Sequence, residues 1–249
     1  MIALRNAQEI RAIEEAGQIL GRMFRELEPR VVPGVTTAEL DAFGEEFIRS
    51  HTGAVPAFKG LYGFPASLCI SVNEEVVHGI PSTERRLNEG DIVSLDGGVK
   101  LNGWFADAAR TFPVGAVDER TAELLAVTRA SLEAGIEQAR AGNRLGDVGY
   151  AIQQVAEAAG FGVVRDLVGH GIGREPHEEP QVPNFGRPGR GLRLQAGLVI
   201  AIEPMVNAGE IGVRTLEDRW TVVAADGSRS AHFEQTVAVT EAGPLVLTA

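Results

Sequence analysis

The dipeptide Asn102-Gly103 stands between two runs of strand character, Asp91–Val99 and Trp104–Phe112. Asn-Gly is the pair that a two-residue type I′ hairpin turn favours, because both central residues must take positive φ. With these two residues as the turn, Leu101 faces Trp104 and the register of the whole hairpin follows. Asp96 then lies opposite Ala109. Asp107 is two residues from Ala109 on the same strand, so it shares a face with Asp96 as its diagonal neighbour. Two carboxylates converging beside Ile92, Val93, Leu95 and Phe105 repel each other unless they are protonated or bridged by a cation. The hairpin alone leaves another reading open, in which one aspartate caps a turn or pairs with Arg110.

Helical patterns precede this hairpin and follow it. Ile10, Ile13, Ala16, Leu20, Met23 and Leu27 recur every three or four residues and mark one face of a helix that ends before Pro29. Thr36 and Glu39 have capping-box spacing, and Leu40, Phe43 and Phe47 supply the apolar stripe of a second helix. A strand is expected at Leu68–Val72. The order then begins again: a helix from Glu119 to Ala141 that stops at Gly142, and another carrying Leu145, Val148, Ile152 and Val155 that stops at Gly160. Strands follow at Gly162–Leu167, Leu198–Ile202, Trp220–Ala224 and Phe233–Val239. Laying Gly34 on Gly142 also lays Leu40 on Val148 and Phe47 on Val155. Helix–helix–strands occurring twice points to an α/β (α+β) chain of two similar halves, roughly 5–115 and 116–249, around one sheet. No linker or low-complexity tract separates them, so residues 1–249 read as a single domain.

The chain has 23 basic and 34 acidic residues, a net charge of −11. That surplus argues against a broad nucleic-acid face, which needs clustered Lys and Arg. One cysteine, Cys69, excludes an internal disulfide and fits a reducing compartment. Charges at Arg5, Glu9, Arg11, Glu14 and Glu15 break the N-terminal apolar run, so neither a signal peptide nor a membrane span is expected. A cytoplasmic protein is the expectation.

Three further residues stand out. His170 is expected in a glycine-rich loop, Gly169-His170-Gly171-Ile172-Gly173, where close backbone approach could aim an imidazole. The segment lacks GxGxxG spacing, and Pro176 follows where a helix would start, so a phosphate cradle is disfavoured. Glu203 ends the apolar run Leu198–Ile202, and Glu234 lies in a buried-looking strand. Each could be an ordinary salt-bridge partner. Four carboxylates and one histidine on apolar strands form an oxygen-rich donor set, better suited to two divalent first-row ions than to a structural zinc.

The segments Cys69–Pro81, Asp96 with Asp107, Gly169–Gly173, Ile202-Glu203-Pro204 and His232-Phe233-Glu234-Gln235-Thr236 resemble those of type I methionine aminopeptidases. The resemblance covers nearly the whole chain. It implies the pita-bread fold, two pseudo-symmetric α/β halves around a central sheet. It also implies release of an N-terminal methionine from short or nascent peptides with a small second residue. The implied metal ligands are Asp96 on one divalent ion, His170 and Glu203 on the other, and Asp107 and Glu234 on both; cobalt, manganese, iron, nickel and zinc all tolerate such a set. The implied catalytic residues are Glu203, which accepts a proton from the attacking water, and His78 and His177, which contact the substrate beside the scissile bond. Leu61, Phe64, Cys69 and Trp220 would line the methionine pocket. Leu61 departs from the tyrosine found in many bacterial members, and Pro176 from an aromatic residue found in some.

The implied partners are a peptide with N-terminal methionine and, for nascent chains, the ribosome; a monomer is expected. Two alternatives remain at this stage. One is an X-Pro peptidase on the same scaffold, whose members carry a substantial extra N-terminal domain. The other is a non-catalytic module that binds peptides or partner proteins, for which retention of all five ligand residues would be unexpected.

Overall fold

The computed structural model describes residues 2–249. Four long helices set its frame: α1 (Ala7–Leu27), α2 (Thr37–Arg49), α3 (Glu119–Gln138) and α4 (Leu145–Ala158). Reciprocal capping boxes start the first two, Asn6 with Glu9 and Thr36 with Glu39, as the spacing of the second pair predicts. α3 stops short of the expected Ala141. Asn143 turns back and donates from its side chain to the Gln138 carbonyl at 3.0 Å, satisfying a helix-end acceptor.

A nine-stranded antiparallel sheet forms the centre. Its strands are β1 (Ala54–Pro56), β2 (Leu68–Val72), β3 (Ile92–Leu101), β4 (Trp104–Pro113), β5 (Gly169–Gly171), β6 (Glu178–Val182), β7 (Val199–Ile202), β8 (Glu234–Thr240) and β9 (Gly243–Val246). They run in the order β1-β3-β4-β8-β7-β5-β6, with β2 also on β3 and β9 on β8. Two three-stranded sheets flank it. One joins Gly162–Val163, Met205–Asn207 and Ser230–His232, the other Glu75–Val77, Val213–Thr215 and Val222–Ala224.

The hairpin has the register read from its turn. Leu101 pairs with Trp104 and Asp96 with Ala109, and Asn102 and Gly103 both have positive φ, 51° and 80°. Elsewhere the structure corrects the sequence reading. The strand expected at Gly162–Leu167 covers only Gly162–Val163. That expected at Trp220–Ala224 begins at Val222, because Asp218 Oδ1 accepts from the backbone N–H groups of Trp220 and Thr221. His170 lies in a short strand, not a loop.

The helices and the acidic residues occupy opposite faces of the sheet. Leu95 and Val99 of β3 belong to the buried cluster of α1, with Leu20, Met23 and Phe24. A Cβ on Gly97 would touch Met23 and Leu20, so this face of β3 packs closely on the helix. On β7, Ile200 and Ile202 join the second cluster, with Leu132 of α3 and Ile152 of α4. Alternation then sends Asp96 and Glu203 to the uncovered side. No helix among the described residues is long and apolar enough to cross a membrane.

Candidate metal centre

Five neighbouring strands of the sheet each bring one donor to the same face: Asp96 on β3, Asp107 on β4, Glu234 on β8, Glu203 at the end of β7 and His170 on β5. Asp96 and Glu234 both take Ala109 as register partner, so three carboxylates surround one methyl side chain. The Thr236 hydroxyl donates to the Asp107 carbonyl at 2.8 Å and accepts from the Asp107 N–H at 3.0 Å, which locks β4 to β8 beside the donors. Ligand atoms of Asp96, Asp107 and Glu234 lie within 4.8 Å of one another, as do those of His170, Glu203 and Glu234. Glu234 is common to both groups. Asp107 also approaches His170 and His177 within that distance.

The donors are deeply placed and electrostatically frustrated. Asp107 and Glu234 are 4% and 2% exposed. Asp96 Oδ1, Asp107 Oδ1 and Glu234 Oε1 accept no hydrogen bond among the described residues, and no Lys or Arg forms an ion pair with any of the four carboxylates. Arg110, the alternative partner for an aspartate, instead donates to the Thr248 carbonyl and lies over the Phe24 ring on the helix side. Burial raises the Asp96 carboxyl to about 7. Burial, followed by the charges of its acidic neighbours, pushes Asp107, Glu203 and Glu234 well above the usual carboxylate range. Carboxylates so placed must either hold protons or be neutralised by a cation, and with no hydrogen-bond partners for their buried oxygens they are a donor set that divalent cations fit.

His170 complements them. Its Nδ1 lies 2.9 Å from the Gly171 carbonyl, which can only accept, so the proton belongs on Nδ1 and Nε2 presents a lone pair. Nε2 is 3.6 Å from Glu203 Oε1. Burial, then His177, lowers the imidazole to about 4 and keeps it neutral. The flanking glycines serve close approach: a Cβ on Gly169 would overlap the Ala201 carbonyl oxygen, and one on Gly171 that of Glu179.

Asp96, Asp107, His170, Glu203 and Glu234 all line an open cavity of about 590 Å³. Leu61, Phe64, Cys69 and Trp220, the expected pocket residues, form one apolar cluster on its wall, where Phe64 and Trp220 meet edge to face at 5.1 Å. Phe58, which the sequence reading passed over, belongs to the same cluster. Cys69 is the cross-strand partner of Asp96, and burial followed by that charge keeps its thiol protonated. His78 also lines the cavity, and its positive φ of 60° is an unusual conformation for a residue with a side chain. His177 stands at the mouth, edge-on to His170 at 4.5 Å and stacked on exposed Tyr62 at 6.0 Å.

Two neighbours of the donors carry no role in the sequence reading. Asn184, fully buried, donates to the Glu203 carbonyl at 3.0 Å. His232, 1% exposed, brings Nε2 to 3.7 Å from Glu203 Oε2. The two-residue offset of His232 from Glu234 was the only available signal for it.

Comparison with known proteins agrees with this geometry. The family description "Metallopeptidase family M24" matches residues 11–241. A methionine aminopeptidase of Clostridium perfringens is 58% identical over 248 residues, covering 100% of this chain and 99% of the relative. The crystal structure of methionine aminopeptidase from Thermotoga maritima, 47% identical, matches with a TM-score of 0.97 over 100% of this chain and 99% of that one. Prolidase from Pyrococcus furiosus, at 23% identity, shares the fold with a TM-score of 0.79, over 99% of this chain and 65% of its own. The sheet flanked by two helix pairs is thus the pita-bread arrangement, and the chain belongs to metallopeptidase family M24, within its methionine aminopeptidases.

Proposed function

We propose that this chain hydrolyses the N-terminal methionine from short or nascent peptides, using two divalent ions held by Asp96, Asp107, His170, Glu203 and Glu234. The observation that carries the reading is one donor from each of five adjacent strands, gathered in a cavity with an apolar wall. Overlap of the donor groups supports Asp107 and Glu234 as shared ligands, Asp96 as a ligand of one ion and His170 with Glu203 as ligands of the other. Four carboxylates and an imidazole suit cobalt, manganese, iron, nickel or zinc. When bound, the ions supply Lewis acidity towards the scissile carbonyl and towards water.

The protein's own groups do the rest. Glu203 accepts the proton of the attacking water and passes it to the departing amine. His177, at the cavity mouth, donates to the carbonyl oxygen as charge develops there, and His78 hydrogen-bonds the peptide-nitrogen side. Leu61, Phe64, Cys69 and Trp220 receive the methionine side chain, whose thioether suits aromatic and sulfur surfaces. A small second residue, nascent chains at the ribosome, a monomeric state and a cytoplasmic location complete the reading. We further read residues 1–249 as one catalytic domain, with 5–115 and 116–249 as its related halves.

The test is methionine release from Met-Ala-Ser after exhaustive chelation and after adding each divalent ion in turn. Turnover is expected only with an ion present; undiminished cleavage by the chelated protein would refute the assignment. Faster cleavage of Ala-Pro than of Met-Ala-Ser would instead identify an X-Pro peptidase.

A further inference from the structure

His232 is buried, yet among the described residues neither of its ring nitrogens has a hydrogen-bond partner. A neutral imidazole always carries one N–H, and a buried donor left without an acceptor is destabilising. The carboxylate nearest that ring is Glu203, with Oε2 3.7 Å from Nε2, a few tenths of an ångström beyond hydrogen-bond reach. The ring is carried on fixed backbone. The Thr111 hydroxyl donates to the His232 carbonyl and accepts from its N–H, both at 2.8 Å, and His232 pairs with Met205 across the strands. The backbone of Glu203 is fixed in turn by Asn184.

Glu203 therefore stands between two imidazoles of opposite character. Towards Oε1, His170 presents a lone pair, because its proton is engaged by Gly171. At 3.6 Å that contact is too long for a hydrogen bond, and a cation between the two would satisfy both. Towards Oε2, His232 has a proton to give and no other acceptor. The two oxygens of one carboxylate are thereby made unequal.

We infer that His232 is the positioning residue of Glu203: its Nε2–H donates to Oε2 and turns Oε1 towards the lone pair of His170. The inference rests on the proposed reading of Glu203 as a metal ligand. It gives His232 a role through Glu203, without contact to substrate.

Two measurements test it. In the zinc-loaded parent, nitrogen-15 NMR should show the Nε2-protonated tautomer of His232, assigned by its loss in His232→Gln; the Nδ1-protonated tautomer would overturn the inference even if His232→Leu does not fold. Calorimetric titration of the metal-free proteins with zinc should show His232→Leu weakened about 10–100-fold and His232→Gln, whose amide N–H can reach the same oxygen, within about threefold of the parent. Parent-like affinity in His232→Leu, or equal weakening in both variants, would overturn it. A parent that binds no zinc would remove the metal reading itself, an outcome distinct from a binding parent with indifferent variants.

Discussion

Asp96 and Glu234 face each other across a single residue, Ala109, which is the register partner of both. The separation of these two carboxylates is thus set by the width of two strand spacings and by a side chain no larger than a methyl group. Ala109 is 1% exposed, so a larger side chain there must displace its neighbours.

Ala109→Leu should therefore abolish uptake of the divalent ions. Overpacking at such a site costs about 1–3 kcal/mol, so the variant should melt at lower temperature yet remain folded. Metal content after dialysis and a melting curve decide the matter; a full complement of ions would contradict the proposed geometry.

The four acidic side chains should make the metal-free protein sensitive to alkali. Their folded-state pKa values are raised, to about 7 for Asp96 and well above the ordinary range for Asp107, Glu203 and Glu234. Raised carboxyl values mean that the folded form holds more protons than the unfolded one. Their stabilising contribution is present at low pH and is lost as pH rises through the folded values. His170, lowered to about 4, and His232, lowered to about 3, act in the opposite sense below the ordinary imidazole range. Above pH about 7 the imidazoles have finished titrating and the carboxylates act alone. The melting temperature of the chelated protein should fall between pH 7 and pH 9, and saturating manganese should flatten the decline. A melting temperature that stays level in the chelated sample would show that the carboxylates are not protonated as described.

Glu203→Gln should lower kcat on Met-Ala-Ser about 10²–10⁴-fold, because the amide cannot take a proton. Circular dichroism should match that of the parent. Retention of most turnover would assign the proton transfer elsewhere.

His78→Ala should separate chemistry from metal binding. His78 lines the cavity but belongs to none of the close donor groups. Turnover should fall about 100-fold with the metal content unchanged. Loss of metal instead would make His78 a ligand.

Phe64→Ala removes one partner of the edge-to-face pair with Trp220. Such a pair contributes about 0.5–1.5 kcal/mol beyond its buried area. KM for Met-Ala-Ser should rise roughly tenfold, as expected for a loss of about 1.4 kcal/mol in binding, while kcat changes less. An unchanged KM would move the methionine side chain to another part of the cavity.

Much of the site was legible because its parts are strongly patterned. Asn102-Gly103 set the hairpin register and with it the shared face of Asp96 and Asp107. The apolar run before Glu203 and the match of motifs around His170 and Glu234 supplied the remaining donors. The short strands were not legible, since three residues such as Glu75–Val77 or Met205–Asn207 hold too little alternation to stand out. His170 read as a loop residue because glycines usually mark turns, whereas here they allow three strands to approach closely. The relation of His232 and Asn184 to Glu203 was not legible for another reason: it exists only once distant strands are side by side.

Because the donors come one from each of five neighbouring strands, the centre is spread along the chain from Asp96 to Glu234. A growing chain released only as far as residue 160 possesses two of the five, and completion waits for the penultimate strand of the sheet. On the proposed reading of these residues as metal ligands, cation capture would be a late event in the life of each molecule, a rivet driven after the plates are aligned. A truncated or mispaired copy would be left with an acidic, unfastened seam instead of an active enzyme.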